Sequence, residues 1–230
     1  RYKFDNMPNL QLTYRGRTSQ PSMTNLLDIT DDSNPLNIRK GNPDLKPSFN
    51  SQFRAFFNTF DADKQRGIFS HAYFSMTQNQ IDNRTSYDAT TGVRTTKPEN
   101  INGNWQAGLG AGLNMPLDRN KLFNINTFTN FGYNHNVSYL DPTQFPDDDR
   151  STTNTITLRE DLNIGFRKDW FDLSLNGNVN YNHSKNNVVT TNNLDTWQFS
   201  YGLEMNLISD WGTSFSTDIA MNSRRGYSQK

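Results

Sequence analysis

The chain contains no cysteine among its 230 residues, which excludes a disulfide-stabilised scaffold and any metal site built from thiolates. It also lacks a run of about 18 consecutive apolar residues, the length that a membrane-spanning helix requires. Its 23 lysines and arginines balance 23 aspartates and glutamates, and no basic cluster marks a surface for nucleic acid. The sequence therefore predicts neither helical membrane spans nor a nucleic-acid partner.

What the chain has instead is a high aromatic content, 13% of residues, within a polar sequence. Large apolar residues alternate with asparagine, glycine and serine, most regularly over residues 123–140. Successive side chains of a strand point to opposite faces, so each such stretch predicts a strand with one apolar and one polar face. The pattern recurs in residues 105–117, 156–166, 171–181, 197–207 and 215–221. Two looser stretches, 49–59 and 68–78, leave the register open because they put aromatic residues on the expected polar face: Phe56, Phe60, Phe69 and Tyr73.

The predicted strands exceed the usual length of about 5 or 6 residues and are long enough to cross a bilayer at a steep tilt. Short polar connections, such as residues 118–121, alternate with longer ones, such as 140–153, as in outer-membrane barrels. The sequence therefore predicts an all-β fold, part of an antiparallel transmembrane β-barrel of the outer-membrane type with roughly nine or ten strands. A large soluble antiparallel sheet with one solvated face is the alternative.

In a barrel, one face of each strand meets lipid and the other meets the lumen, because only a closed sheet satisfies its backbone groups in hydrocarbon. The lipid-facing candidates are Trp105, Leu109, Leu113, Phe123, Ile125, Phe131, Leu173, Leu175, Trp197, Phe199 and Leu203. The lumen-facing candidates are Gly108, Gly110, Gly112, Asn124, Asn126, Asn130, Asn134, Asn176, Asn178 and Asn180. The asparagines suit hydrogen bonding to a sugar or a plug, or plain hydration of the lumen. The glycines suit either close packing of a plug or relief of curvature.

No residue set predicts catalysis, a metal site or a cofactor. The run Asp147–Asp149, with Asp141 nearby, is compatible with calcium ligation or with a solvated loop tip. His71, His135 and His183 lie on different predicted strands without the carboxylate or cysteine spacing of a zinc site. No nucleophile has a base nearby, so the sequence does not predict an enzyme.

Residues 19–48 break the alternation. Pro35, Pro43 and Pro47 each remove a backbone donor, and Gly41 permits a turn, so we expect an ordered extracellular loop between strands 9–18 and 48–60. The segment Gly41-Asn42-Pro43-Asp44-Leu45-Lys46-Pro47 resembles the GNPxLKPE signature in the barrel of TonB-dependent receptors, with Ser48 where the family often has an acid. Residues 14–38 and 81–105 are similar to the segment before this signature and to the next long loop in the related outer-membrane β-barrel family.

The resemblance covers essentially the whole chain and implies a multi-pass protein of the outer membrane of a Gram-negative cell. Such receptors form barrels of about 22 strands around an amino-terminal plug. They bind and import a scarce nutrient, such as a glycan, a metal chelate or a cofactor. The inner-membrane TonB system acts through the plug, and glycan-importing relatives carry a surface lipoprotein lid.

We expect residues 1–230 to be part of a single barrel domain, surrounded by outer-membrane lipid. The plug, the terminal strands and any targeting signal are expected outside the chain. The alternative function is a plug-less outer-membrane barrel with a structural or assembly role in a surface complex.

Overall fold

A computed structural model describes residues 8–209 and 211–226 of the chain. The strands are β1 (Asn9–Ser19), β2 (Thr30–Asp31), β3 (Asn37–Lys40), β4 (Ser48–Asp61), β5 (Arg66–Gln78), β6 (Gln80–Tyr87), β7 (Arg94–Ile101), β8 (Asn104–Pro116), β9 (Phe123–Tyr139), β10 (Arg150–Lys168), β11 (Phe171–Asn186), β12 (Leu194–Ile208) and β13 (Ser214–Arg225). A single-turn helix, α1 (Met23–Leu26), and a 3-10 turn (Thr190–Asn192) complete the described elements. None of the described helices is long and apolar enough to cross a membrane.

Nine strands form one large sheet, here called the wall, in the order β1-β4-β5-β8-β9-β10-β11-β12-β13. Each pair of neighbours is antiparallel, and β1 and β13 are the edge strands of the wall within the described residues. Wall strands run from 11 residues in β1 to 19 in β10. The predicted all-β fold with long antiparallel strands is therefore confirmed.

The register of the wall separates the alternating residues into two faces. Leu109 lies opposite Phe131, which lies opposite Leu158. One residue away along β8, Gly110 lies opposite Asn130. We call the side that carries Leu109 the apolar face and the side that carries Asn130 the polar face.

The two stretches whose register the sequence left open fold as β4 and β5. Phe56 lies opposite His71, and Tyr73 lies opposite Gly108, so these aromatic rings belong to the polar face. Phe69 and Phe60 also lie on the polar face. The structure thus settles the register that the sequence left open, and four aromatic residues lie on the polar face of β4 and β5 where later strands carry asparagines.

The connections between wall strands alternate in length, as the sequence predicted. At one end of the wall, the short-turn end, two residues join β10 to β11 and four join β4 to β5. At the opposite end, the long-loop end, β1 is joined to β4 through residues 20–47, and β5 is joined to β8 through residues 79–103.

The four remaining strands form a small sheet at the long-loop end, here called the cap, in the order β2-β3-β7-β6. β6 and β7 form an antiparallel hairpin from Gln80↔Ile101 to Tyr87↔Arg94, and β3 pairs with β7 in parallel. Residues 81–105, which resemble the next long loop of the family, therefore lie largely in the connection from β5 to β8 and fold there as a hairpin. The hairpin forms because β-branched residues line both arms, with Thr85 opposite Thr96, and Gly92 adopts a φ of +74° in the turn.

Burial differs sharply between the wall and the cap. The large apolar side chains buried within the described residues are Leu45, Ile101 and Leu140, all at the long-loop end, and Ile101 is fully buried. On the wall, Leu109 is 56% exposed. The wall is thus a single layer whose two faces are not covered by other described parts of the chain.

Candidate binding face and its rim

A row of four asparagine amides crosses the polar face of the wall. Asn114, Asn126, Asn163 and Asn176 lie directly opposite one another on β8, β9, β10 and β11. Asn114 Nδ2 donates to Asn126 Oδ1, Asn126 Nδ2 donates to Asn163 Oδ1 at 3.1 Å, and Asn163 Nδ2 donates to Asn176 Oδ1 at 2.7 Å. All three bonds run in the same direction, so this amide row presents its last NH₂ group at β11.

The end of the amide row opens into a groove. Asn176 lies opposite Gly202 on β12, which has no side chain to cover the Asn176 amide. The groove has a volume of about 680 Å³ and extends across the polar face from β5 to β13. It therefore presents the NH₂ group of Asn176 to a polar ligand or to another protein segment.

The charge of the polar face changes across the wall. The large groove is lined by Asp161, Glu204 and Asp218. Arg159 Nε donates to Asp161 Oδ2 at 2.7 Å, whereas Glu204 lies directly opposite Asp218 and neither forms a salt bridge within the described chain. A second groove of about 510 Å³, towards β1, is lined instead by basic residues that include Arg15 and Arg54.

All ten lumen-facing candidates lie on the polar face, but they do not form one site. Asn126 and Asn176 belong to the amide row, and Asn178 donates to Asp161 in the same groove. The remaining asparagines, Asn124, Asn130, Asn134 and Asn180, lie on the same face away from the row. The sequence missed Asn114 and Asn163 as members of the row, because their contacts depend on the register between strands.

The glycine candidates form a shelf beneath aromatic rings. A Cβ at Gly108 would lie 2.4 Å from Tyr73 Cε1, one at Gly110 would lie 2.3 Å from His71 Cε1, and one at Gly112 would lie 2.2 Å from the ring of Phe69. These distances are too short for any side chain. The glycines therefore leave room for the three rings of β5, which a side chain at these positions would displace.

All eleven lipid-facing candidates lie on the apolar face, which carries a group of aromatic rings towards each end. At the short-turn end, the ring centroids of Phe123 and Phe166 are 4.8 Å apart. At the long-loop end, Trp105 and Tyr133 are 5.0 Å apart, and Tyr181 and Trp197 are 4.3 Å apart. Ten residues separate Phe123 from Tyr133, which spans about 23 Å along the membrane normal for a strand tilted by about 45°. This matches the height of an outer-membrane apolar band with aromatic girdles, about 25 Å.

The signature loop, residues 41–47, joins the turn around α1 to the hairpin of the cap. Asn42 is buried, and its Nδ2 donates to the Pro98 carbonyl at 2.9 Å while its backbone N–H donates to the Asn25 carbonyl at 2.6 Å. The backbone N–H of Lys46 donates to Asn100 Oδ1 at 2.7 Å, and Asn100 Nδ2 donates to the Lys46 carbonyl at 3.0 Å. A Cβ at Gly41 would lie 1.7 Å from the Leu27 carbonyl oxygen, so only glycine fits there. The geometry of this loop explains its residue types by packing within the cap.

Ion pairs hold the hairpin of the cap to the β9–β10 loop. Arg84 Nη2 donates to Asp149 Oδ1, Arg84 Nη1 lies 3.6 Å from Glu99 Oε2, and the Arg84 guanidinium lies over the Tyr139 ring. Asp141 accepts hydrogen bonds from Thr143 and from the Tyr87 backbone N–H. Partial burial acts to raise the pKa of Asp141. The hydrogen bonds from Thr143 and Tyr87 lower this pKa by a larger amount, so the pKa lies below its ordinary value.

The acidic run and the histidines do not converge on a metal site. Asp149 is engaged by Arg84, whereas Asp147 and Asp148 are exposed. In residues 8–209 and 211–226, no group of three histidine, aspartate or glutamate side chains has the proximity needed to hold a metal ion.

The sequence model of the outer membrane protein beta-barrel family matches residues 1–170. The matched region includes the whole cap and the wall as far as the turn after β10, and β11–β13 continue the same antiparallel register. Comparisons with the curated proteins and with the solved structures give no match.

Proposed function

The chain belongs to the outer membrane protein beta-barrel family and is a multi-pass protein of the cell outer membrane, and from this premise we propose that it is the barrel portion of a nutrient receptor. The receptor binds a scarce nutrient at the polar side of the wall and imports it with energy from the TonB system. The ligand class is a glycan, a metal chelate or a cofactor. The role is uptake and not catalysis, in keeping with a family that is typically non-enzymatic.

The orientation of the wall is the first part of this proposal. The apolar face, bounded by its two aromatic groups, meets lipid, and the polar face meets the lumen. The two faces of this single-layer sheet differ in polarity. The apolar face suits hydrocarbon, and the polar face suits water or a protein-filled lumen. The cap then lies on the extracellular side, because long loops of outer-membrane barrels are extracellular and short turns are periplasmic.

The observation that carries the proposal is the groove on the polar face. The amide row ends in it, two carboxylates without salt-bridge partners face it, and no described side chain fills it. A plain water-filled pore does not need an ordered relay of amides across four strands. A groove of this kind suits a plug domain of the parent chain, a hydroxyl-rich ligand, or both in turn.

The signature loop and the cap support a receptor. They form an ordered, internally packed platform above the mouth of the wall, suited to capturing ligand or to seating a surface lipoprotein lid. The resemblance of residues 41–47 to the TonB-dependent receptor signature points in the same direction.

Peptide mapping of the native protein from outer-membrane fractions, followed by capture on the purified periplasmic domain of TonB, tests the proposal. We expect a plug-sized segment, on the order of a hundred residues, that is retained by TonB through a short leading motif. A parent chain without a plug and without TonB retention would contradict active import.

A plug-less barrel with an assembly role is the second candidate. The observation that favours it is the set of exposed apolar side chains on the loop of the cap, including Met23, Ile29 and Leu36. Such side chains suit contact with another surface protein. Stable co-purification with surface proteins, together with unchanged nutrient uptake after deletion, would favour this function over import.

A further inference from the structure

The apolar face carries one charged residue in the middle of its band. Glu160 lies on β10 between Leu158 and Leu162, all three on the apolar face. Along this face of β10, Phe166 and Ile164 lie on the short-turn side of the carboxylate and Ile156 lies on the long-loop side. Glu160 is therefore close to mid-band, where an ionisable residue is costly and is usually functional.

The Glu160 carboxylate is held in place by the neighbouring strand. Thr127 and Thr129 on β9 each donate a hydroxyl hydrogen bond to one of its two oxygens. Two donors leave acceptor capacity on both oxygens, since an ionised carboxylate has about four acceptor sites. Within the described residues Glu160 forms no salt bridge.

Small residues lie in the same row on the β9 side of this carboxylate, whereas Leu158, Leu162 and Val179 flank it on the other sides. We call this patch of small residues, together with Gly177, the notch. Ser70, Ala111, Thr129 and Glu160 lie directly opposite one another on β5, β8, β9 and β10. Next to this row, Gly177 on β11 lies opposite Leu162, and a Cβ at Gly177 would meet nothing within 4 Å. A groove of about 410 Å³ begins at Gly177 and is lined by Leu175, Tyr201 and Leu203.

Lipid alone does not account for this combination. Acyl chains offer no hydrogen bonds and no positive charge, whereas protein contacts within a membrane use small residues for close approach and polar residues for hydrogen bonding. We propose that the notch formed by Ala111, Thr127, Thr129, Glu160 and Gly177 is the contact site for a membrane-embedded protein segment that places a lysine or arginine side chain against Glu160.

The occupant follows from the charge of the site. The carboxylate is oriented but uncompensated, so the complementary group is a cation, and guanidinium or ammonium groups donate the further hydrogen bonds that the Glu160 oxygens can still accept. The adjoining groove receives the apolar residues of the same segment. This inference requires the apolar face to meet lipid, but it does not depend on nutrient import.

Site-specific photo-crosslinking of the full-length protein in intact outer membranes tests the proposal. The probe is p-benzoylphenylalanine, placed at Ala111 or at Val179, which lie on the two sides of Glu160. The matched control position is Phe57, in the same row but four strands away, at about 19 Å from β10.

We expect protein adducts from the Ala111 and Val179 positions, and lipid adducts only from Phe57. The cross-linked partner peptide should contain a lysine or arginine, and E160K should reduce the adduct at least tenfold through charge repulsion. Glu160→Gln, which removes the negative charge but keeps one acceptor oxygen for a threonine hydroxyl, should reduce it less. The mass of the adduct distinguishes a second copy of this chain from a different protein.

Lipid adducts alone at all three positions would overturn the proposal while leaving the orientation of the wall intact. A protein adduct that lacks a basic residue, or that is unchanged by E160K, would also overturn it. Water-soluble quenchers that suppress labelling at Phe57 would instead contradict the orientation of the wall, and so the proposed function.

Discussion

The wall and the cap are stabilised in different ways. The cap buries Ile101 completely and ties its loop to its hairpin through Asn42 and Asn100, as a small soluble domain does. The wall has no core of its own and leaves side chains such as Leu109 and Leu175 about half exposed. The stability of the cap is therefore internal, whereas that of the wall depends on the media that touch its two faces.

The largest difference is expected from removing apolar volume in each region. Ile101→Ala should cost about 2–5 kcal/mol of local stability in the cap, because it leaves a cavity that the packed surroundings cannot fill. Leu109→Ala on the wall should cost about 1 kcal/mol, because lipid fills the space. Hydrogen–deuterium exchange of the β6–β7 amides and of the β8 amides in membrane vesicles measures both. Equal losses at the two sites would contradict the comparison.

The two faces of one wall strand should respond differently to charge. Leu175→Lys on the apolar face should destabilise the folded barrel by about 2–4 kcal/mol, because it places an ammonium group in hydrocarbon. Ser174→Lys, one residue away on the polar face, should change the free energy of unfolding by less than about 1 kcal/mol. Equilibrium unfolding from lipid vesicles in guanidinium gives both values, and a reversed order would refute the assignment of the faces.

Glycine substitutions should also affect the cap and the wall differently. Gly41→Ala should cost about 1–3 kcal/mol, since its Cβ would overlap the Leu27 backbone and the signature loop must move. Gly67→Ala on the wall is the control, because its Cβ would lie 3.5 Å from Phe60 in ordinary contact. Protease cleavage within residues 20–47 should rise for the first variant alone. Resistance of both variants would show that the loop is not held by this packing.

The smallest effect is expected from the pH dependence of stability at the long-loop end, around Asp141. The folded pKa of Asp141 is below its ordinary value, so its contribution to stability is complete above about pH 3.9 and is lost as pH falls through the folded pKa. The protection factors of the amides in residues 140–149, which correct for the intrinsic pH dependence of exchange, should therefore fall on acidification through that range, whereas those of β11 should not. In Asp141→Asn this fall should be absent; if it persists, another group is responsible.

The sequence predicts the wall better than the cap for a physical reason. Alternation predicts both ends of β9, because apolar and polar residues keep to opposite faces over most of the stretch from Phe123 to Tyr139, with Phe128 the aromatic exception on the polar face. The pattern is less regular at β4 and β5, where Phe56 and Tyr73 lie on the polar face and the Tyr73 ring lies against Gly108 of β8. The sequence did not predict the cap, because the parallel pairing of β3 with β7 joins residues more than fifty positions apart.

The candidate site depends on register, which a single strand does not encode. Asn126 and Asn176 are recognisable as polar-face residues, but the amide row appears only when β8 to β11 are aligned. Glu160 is overlooked for a related reason. It interrupts an apolar face at one position, and its two threonine partners lie on another strand.

The most direct test of the account is a scan of β11 by site-directed spin labelling. Because the chain has no native cysteine, single cysteines at residues 173–181 can be labelled without background. We expect accessibility to oxygen and accessibility to a water-soluble nickel reagent to oscillate with a period of two and in opposite phase. Oxygen accessibility should be highest at Leu173, Leu175 and Val179. Access of the nickel reagent to both faces, or oscillations in the same phase, would contradict a wall with lipid on one side and an aqueous lumen on the other.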